Sequence, residues 1–229
     1  MLSQGMAEWL IHIAVVAEPY LVPDHWLGDR DSSVAVVRRN TTDSPPMTLI
    51  LQWSGFVAVE WGEIAVVAVY FSPNRSFAVF EDYLTNLAVA VRRLRPRQII
   101  LAGDLNAKST SWGNPAAKCN PRGRLLESWA IASGLSLLNR GSTHTCVRQQ
   151  GGSVVDITFA TPALAARVGN WRVELGETLS DHRFIRWEIT PHGPTPSSQL
   201  KGSPFPRWAL SRLDKPMAKE AALMQAWFA

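Results

Sequence analysis

The stretch "LAGDLNAKSTSWG" (101–113) passes from an apolar run into Asp104 and Asn106. In an extended segment residues i and i+2 point to the same side, so these two side chains can aim at one point while Leu105 turns to the core. A carboxylate beside an amide suits a divalent cation, a water nucleophile or a phosphate oxygen. Gly, Asp and Asn are also ordinary strand terminators, so a plain turn competes with that reading.

Four more polar residues sit at or near the ends of apolar runs. Glu18 closes "IHIAVVAE", where an exposed strand end would explain it equally well. Tyr70 in "AVYFSPN" either packs in a strand or holds its hydroxyl over an anionic oxygen. Asp156 in "SVVDITFA" shares a face with Val154 and Thr158, and both faces of that run are apolar enough to be covered. A buried carboxylate needs a partner. A Ser or the backbone could serve, or Asp156 could orient a histidine. His182 in "LSDHRFI" (179–185) is the natural candidate, because an Asp–His pair fixes the imidazole tautomer and raises its basicity. Asp181 and His182 share a site only from a turn, which Ser180 favours. An Asp-His dipeptide by itself reads as a solvated loop.

The elements that must position these residues follow from periodicity. Strands are expected at 11–19, 33–39, 47–53, 56–61 and 63–73; Gly55 and Gly62 separate the last three into an antiparallel meander. In 76–95, Phe77, Phe80, Leu84, Leu87, Val91 and Leu94 alternate steps of three and four, which is one face of an amphipathic helix. Ser76 caps its start and Pro96 limits its end. A strand at 97–104 follows. A second helix is expected at 122–133, stopped by Gly134, with strands at 135–139, 153–160, 171–175 and 184–190. The segment 160–178 is expected to form a protruding loop. A Pro/Gly/Ser-rich linker is read at 191–206 and a tail at 207–229, after a domain at 1–190. About ten strands and few helices fit an α/β sandwich of two sheets with helices outside better than a simple alternating parallel sheet.

The totals agree with one sizeable domain. The chain has 229 residues, 46% of them hydrophobic, with 10 Trp and a net charge of +4. That charge is a mild push towards polyanions. Two cysteines, Cys119 and Cys146, make neither a disulfide framework nor a zinc spacing and read as reduced thiols. No run is long and apolar enough to span a bilayer, and the opening segment lacks the basic flank of a signal peptide.

Taken in order, "AEPY" (17–20), "VYFSPN" (69–74), "GDLNAKSTSWG" (103–113), "NPRGRLLESW" (120–129), "GSVVDITFA" (152–160) and "LSDHRFI" (179–185) resemble the exonuclease–endonuclease–phosphatase superfamily. More narrowly, they resemble the AP-endonuclease-like domain of non-LTR (LINE-type) retrotransposons, over roughly 7–190. "PRWALSRLD" (206–214) is similar to the segment leading such domains into a reverse transcriptase. The resemblance implies a four-layer α/β sandwich of two mixed β-sheets flanked by helices. It implies that Glu18 binds the catalytic Mg²⁺ (or Mn²⁺), with Asp181 completing the metal-side carboxylates. Asp104 would prepare the attacking water and Asn106 would hold it or the phosphate. Tyr70 would donate to the scissile phosphate, and His182, oriented by Asp156, would contact a phosphate oxygen or transfer a proton. Thr145 and Ser153 would line the pocket. Arg122, Arg124 and Trp112 are candidates for DNA contact, as is the basic run Arg92, Arg93, Arg95 and Arg97.

The implied activity is a nick in one DNA strand that leaves a 3′-hydroxyl to prime reverse transcription of the element RNA in the nucleus, with DNA and a linked reverse transcriptase as partners and no membrane. A phosphatase of the same superfamily and a non-catalytic DNA-binding relic are the alternatives. Two departures bear on activity. Ala17 stands where the family has Gln. "MLSQGMAEW" reads as helix where a first strand with an Asn would precede, so that strand is expected to be missing.

Overall fold

A computed structural model describes residues 2–176 and 178–190. The expected linker and tail lie outside the described residues. Helix α1 (Leu2–Glu8) precedes strands β1 (Ile13–Ala17), β2 (Leu27–Gly28), β3 (Val34–Arg38), β4 (Met47–Trp53), β5 (Phe56–Trp61) and β6 (Ile64–Tyr70). Helix α2 (Phe77–Leu94) leads to β7 (Gln98–Asp104), and α3 (Pro121–Ala132) to β8 (Ser136–Leu137). A hairpin of β9 (Cys146–Arg148) and β10 (Gly151–Ser153) follows. Then come β11 (Asp156–Ala160), α4 (Pro162–Ala165), β12 (Val168–Val173) and β13 (Ile185–Ile189).

The central sheet has six strands in the order β4-β5-β6-β7-β11-β8. β4, β5 and β6 form the expected meander; β6 and β7 are parallel, and β11 returns antiparallel to β7. The parallel pair needs a crossover, and α2 supplies it. Every residue of β6 is buried. Ala65, Val67 and Val69 face α2 and α3, whereas Ile64, Val66, Ala68 and Tyr70 face the second layer of strands. Burial on both faces explains why this segment is a continuous apolar run.

The second layer holds β1-β3-β2 and the pair β12-β13. Trp9, just after α1, packs edge-on against Phe184 and lies under the Arg186 guanidinium, outside β13. The architecture is the mixed α/β sandwich expected. The second sheet is interrupted among the described residues, since β1 pairs only with β3 and β13 only with β12. Ile13 and Val15 face Trp187 and Ile189 across a narrow apolar cleft there. The Trp61 indole nitrogen, on the same cleft, is buried with no hydrogen-bond partner among the described residues.

Three local expectations change. The segment 160–178 is not a protruding loop: α4 and β12 occupy most of it, because Leu164, Ala165, Val168 and Trp171 join the core under the sheet. The hairpin β9–β10 has no apolar alternation to announce it. The expected strand 153–160 divides at 154–155, where the chain crosses from that hairpin into the central sheet.

One residue, Gly55, ties the layers together. The Gly55 N–H donates to the Asp29 carboxylate at 2.7 Å, and the Gly55 carbonyl accepts from Tyr70 N and the Tyr83 hydroxyl. Asp29 also accepts from Ser33 N, Ser33 Oγ and Val34 N, and is buried. Asp29→Ala would strand the Gly55 and Val34 amides, so we expect it to destabilise the fold by about 2–4 kcal/mol. A lower urea midpoint at unchanged slope is the readout, with Asp29→Asn in between.

Candidate active site

Strand register brings the first three groups together. Asp104 ends β7, directly opposite Tyr70 on parallel β6 and Asp156 on antiparallel β11. Gly103 allows the close approach just before it, because a Cβ there would lie 1.8 Å from the Val69 carbonyl oxygen.

Beyond β7 the chain turns sharply. Asn106 adopts a left-handed backbone (φ 47°), which asparagine tolerates better than most residues. Its backbone N–H donates to Asp104 Oδ1 at 2.8 Å, and its Nδ2 donates to Asp104 Oδ2 at 2.9 Å and to the Phe71 carbonyl at 3.1 Å. The turn reading of Asp104-x-Asn106 holds: it is an Asx turn, and a left-handed Asn106 rather than an extended segment brings the amide against the buried carboxylate. Asn120, the N-cap of α3, fastens this loop from behind. It accepts from Lys108 N and Gly123 N and donates to the Asn106 carbonyl.

His182 arrives from the other side. Its Nδ1 lies 3.0 and 2.9 Å from the two Asp156 oxygens, and its Nε2 lies 3.9 Å from Asp104 Oδ2. The loop carrying it is strapped to β9: Val147 N donates to the Asp181 carbonyl, Arg183 N to the Thr145 carbonyl, and Cys146 bridges His182. Thr178 Oγ1 donates to the Ser180 and His182 carbonyls. Ligand atoms of Asp104, Asp156 and His182 lie within 4.8 Å of one another and could hold a metal ion. Glu18 follows β1 with a left-handed backbone (φ 47°), strained for this residue type. Its carboxylate is hydrogen-bonded to the Tyr70 phenol and adds to the field at Asp104.

The remaining residues are placed differently. Asp181 stands apart from the cluster: its carboxylate is exposed and paired with Arg148 at 3.1 Å. Thr145 is fully buried and does not present its hydroxyl to an open pocket; Oγ1 accepts from Val155 N and Asp156 N. Ser153 lies beside it, its carbonyl accepting from Thr145 N. Trp112 is core, with Nε1 donating to the Ala107 carbonyl, so it is closed to DNA. Arg122 is committed to the carbonyls of Ser72, Pro73 and Arg75 and stacks over Phe71. It supports the loop after Tyr70. Arg124 is exposed. Arg92, Arg93, Arg95 and Arg97 lie near the start of β7, roughly 20 Å along the strand from Asp104.

Sequence reasoning missed the half-buried Asn120 and two buried asparagines, Asn114 and Asn139. Asn114 pairs with both backbone groups of Val154, and Asn139 with Asp156 and Thr158. Asn114 and Asn120 precede a proline and Asn139 lies two residues before Gly141, so all three read as turn chemistry, and nothing local reveals the distant segment each holds.

The sequence matches the family described as "Endonuclease-reverse transcriptase" over residues 64–186, just over half of the chain. That span carries Tyr70, Asp104, Asn106, Asp156 and His182. The chain belongs to the endonuclease–reverse transcriptase family. The endonuclease domain of TRAS1, a telomere-specific non-LTR retrotransposon, is similar to this endonuclease-family domain, with a TM-score of 0.71 at 27% identity. The match covers 82% of this chain and 90% of that one. Two more distant structures share the fold. An AP endonuclease from Archaeoglobus fulgidus has a TM-score of 0.63 at 14% identity, covering 82% of this chain and 93% of that one. A 3′-5′ exonuclease (NExo) from Neisseria meningitidis has 0.56 at 19%, covering 80% and 82%. No curated protein sequence matches the chain.

The electrostatics of this endonuclease-family site are those of crowded acids. Burial pushes the Asp104 carboxyl up to about 7, and the Asp156 charge adds to the effect. The hydrogen bond to Asp156 lifts His182 to about 8 against the opposing effect of burial. Burial and the Glu18 carboxylate hold the Tyr70 phenol above its usual range. Folding therefore takes up protons at both Asp104 and His182. The ionised Asp104 opposes folding increasingly from its ordinary range near 4 up to about 7. The contribution of His182 is complete below 6.5 and lost as pH rises through about 8. We expect the melting temperature in metal-free buffer to fall from pH 5 to pH 9. Asp104→Asn should melt above the parent at pH 8, with the gain vanishing near pH 4. A gain of equal size at both pH values would contradict this electrostatic assignment.

Proposed function

We propose that this domain is a Mg²⁺-dependent DNA endonuclease that nicks one strand and leaves a 3′-hydroxyl to prime reverse transcription. The convergence of Asp104, Asn106, Asp156 and His182 with Tyr70 and Glu18 at one end of the sandwich carries the reading. Water oxygen bonds to phosphorus and the P–O3′ bond breaks, giving a 3′-hydroxyl and a 5′-phosphate.

The oxygen-rich donor set fits a hard divalent ion, and three carboxylates around one imidazole leave negative charge that such an ion would relieve. Glu18 and Asp104 would hold Mg²⁺, which when bound neutralises charge on the scissile phosphate. Asp104, poised near neutrality and exposed to only 2%, takes the proton from the attacking water. Asn106 has its NH₂ committed to Asp104 and Phe71, so its Oδ1 is the group left to accept from that water. His182, protonated near pH 7 and fixed through Nδ1, presents Nε2–H to a phosphate oxygen. Tyr70 stays a neutral phenol, and its one O–H would donate to a phosphate oxygen in place of the Glu18 carboxylate. The proposed partners are DNA, a linked reverse transcriptase and the element RNA, with the nucleus as the place of action. Among the described residues no helix is long and apolar enough to cross a membrane.

One observation favours a second reading, DNA binding without cleavage: the second sheet is interrupted beside β1, the strand that delivers Glu18. Supercoiled plasmid incubated with the chain and Mg²⁺ separates the two. We expect relaxed circles with ligatable 3′-hydroxyl ends, abolished by EDTA and reduced at least about 10²-fold by His182→Ala or Asp104→Ala. Equal relaxation by the chain and His182→Ala would overturn the proposal. Salt-dependent binding with no Mg²⁺-dependent relaxation would establish the second reading.

A further inference from the structure

We infer that Asn139 is a positioning residue of the active site, acting through Asp156 on His182. The inference deepens the hydrolase reading above and rests on it for its kinetic arm.

The observation begins with an unfinished strand. β8 pairs with β11 only at Leu137–Phe159 and Ser136–Ala160. One more backbone bond follows, from Leu138 N to the Thr158 carbonyl. The chain then leaves the sheet, yet β11 runs on to Asp156 with an edge still to satisfy. Side chains take over. Asn139 Oδ1 accepts from Thr158 N at 2.7 Å, and Nδ2 donates to the Asp156 carbonyl at 2.9 Å. Thr145 Oγ1 accepts the Asp156 N–H. An asparagine and a threonine, 3% and 0% exposed, thus imitate the next strand up to the functional aspartate.

The amide orientation follows from the partners, since Thr158 offers a donor and the Asp156 carbonyl needs one. Asp156 is the first residue of β11, and strand ends fray unless both backbone groups are held. Its carboxylate is what holds His182 Nδ1. Release of the Asp156 carbonyl lets that carboxylate drift, and the imidazole with it. A misplacement of about 1 Å at a catalytic group can lower turnover by about 10²-fold.

Asn139→Ala removes both bonds. Asn139→Asp keeps the shape and the acceptor for Thr158 N but turns an oxygen on the Asp156 carbonyl. The full chain and both variants would be compared in Mg²⁺-dependent plasmid nicking, well below each melting temperature. The ¹H–¹⁵N spectrum of histidine-labelled protein would be recorded in parallel, with the His182 Nδ1–H resonance assigned by its loss in His182→Ala. We expect kcat to fall roughly ten- to hundredfold with KM within about twofold. We also expect the strongly downfield Nδ1–H resonance to move upfield or vanish in both variants. A resonance and kcat that match the parent, with only the melting temperature lowered, would reduce Asn139 to a core residue and overturn the inference. Asp156→Asn separates the two proposals. If it abolishes nicking while the Asn139 variants retain it, only this inference fails. If the parent and Asp156→Asn relax plasmid equally, the hydrolase reading fails, and the resonance alone decides whether Asn139 positions His182.

Discussion

The site depends on the register of β7 between its two neighbours. A parallel pairing to β6 and an antiparallel pairing to β11 set Tyr70, Asp104 and Asp156 level across three strands. Side-chain alternation is strict in a sheet, so a slip of one residue in either pairing would turn Asp104 away from one partner. The register is held hard. Gly103 presses onto the Val69 carbonyl where any Cβ would collide, and both faces of β6 are sealed in apolar packing. Chemistry at this end of the molecule is a consequence of sheet geometry more than of loop design.

Levelling three acidic or phenolic groups beside one imidazole creates an electrostatic burden. Asp104 is buried near Asp156 and within the field of Glu18, and no described cation side chain approaches its carboxylate as closely as His182 does. Under the proposed function, the same crowding would make Asp104 a usable base near neutrality, and the destabilisation would accompany that role. Compensation comes from elsewhere in the fold. Two apolar cores on either side of the central sheet, and the Asp29–Gly55–Tyr83 clamp through three layers, contribute the rigidity that keeps like charges together.

Side-chain amides do much of the work that regular strands do elsewhere. Asn106 pins the carboxylate of Asp104, Asn120 pins the loop that carries Asn106, and Asn114 and Asn139 pin either end of the approach to Asp156. Asparagine suits these places because one planar group offers both a donor and an acceptor to a single peptide edge. The loops around the site are thereby tied to the sheet and helix ends without lengthening any strand.

Sequence alone determined the longer elements of the central sheet, helix α2 and the residue types that could react. Apolar runs and three-four periodicity located β4, β5, β6, β7, α2 and β13 closely, because β5, β6, β7 and α2 bury apolar faces and β4 and β13 carry partly buried ones. Glu18, Tyr70, Asp104, Asn106, Asp156 and His182 stood out as polar residues at the ends of such runs. Their number and order carried the family resemblance. What each side chain faces was decided only by tertiary structure. Arg122 could have reached outward and instead supports the Tyr70 loop; Asp181 turns to Arg148; Thr145 is consumed by the backbone before Asp156; the arginines in the last turn of α2 and just beyond it fall at the far end of β7. The short hairpin β9–β10 and the asparagine staples left no local signal. A hydrogen bond between residues tens of positions apart depends on register and packing, and neither composition nor spacing encodes that in a local stretch of chain.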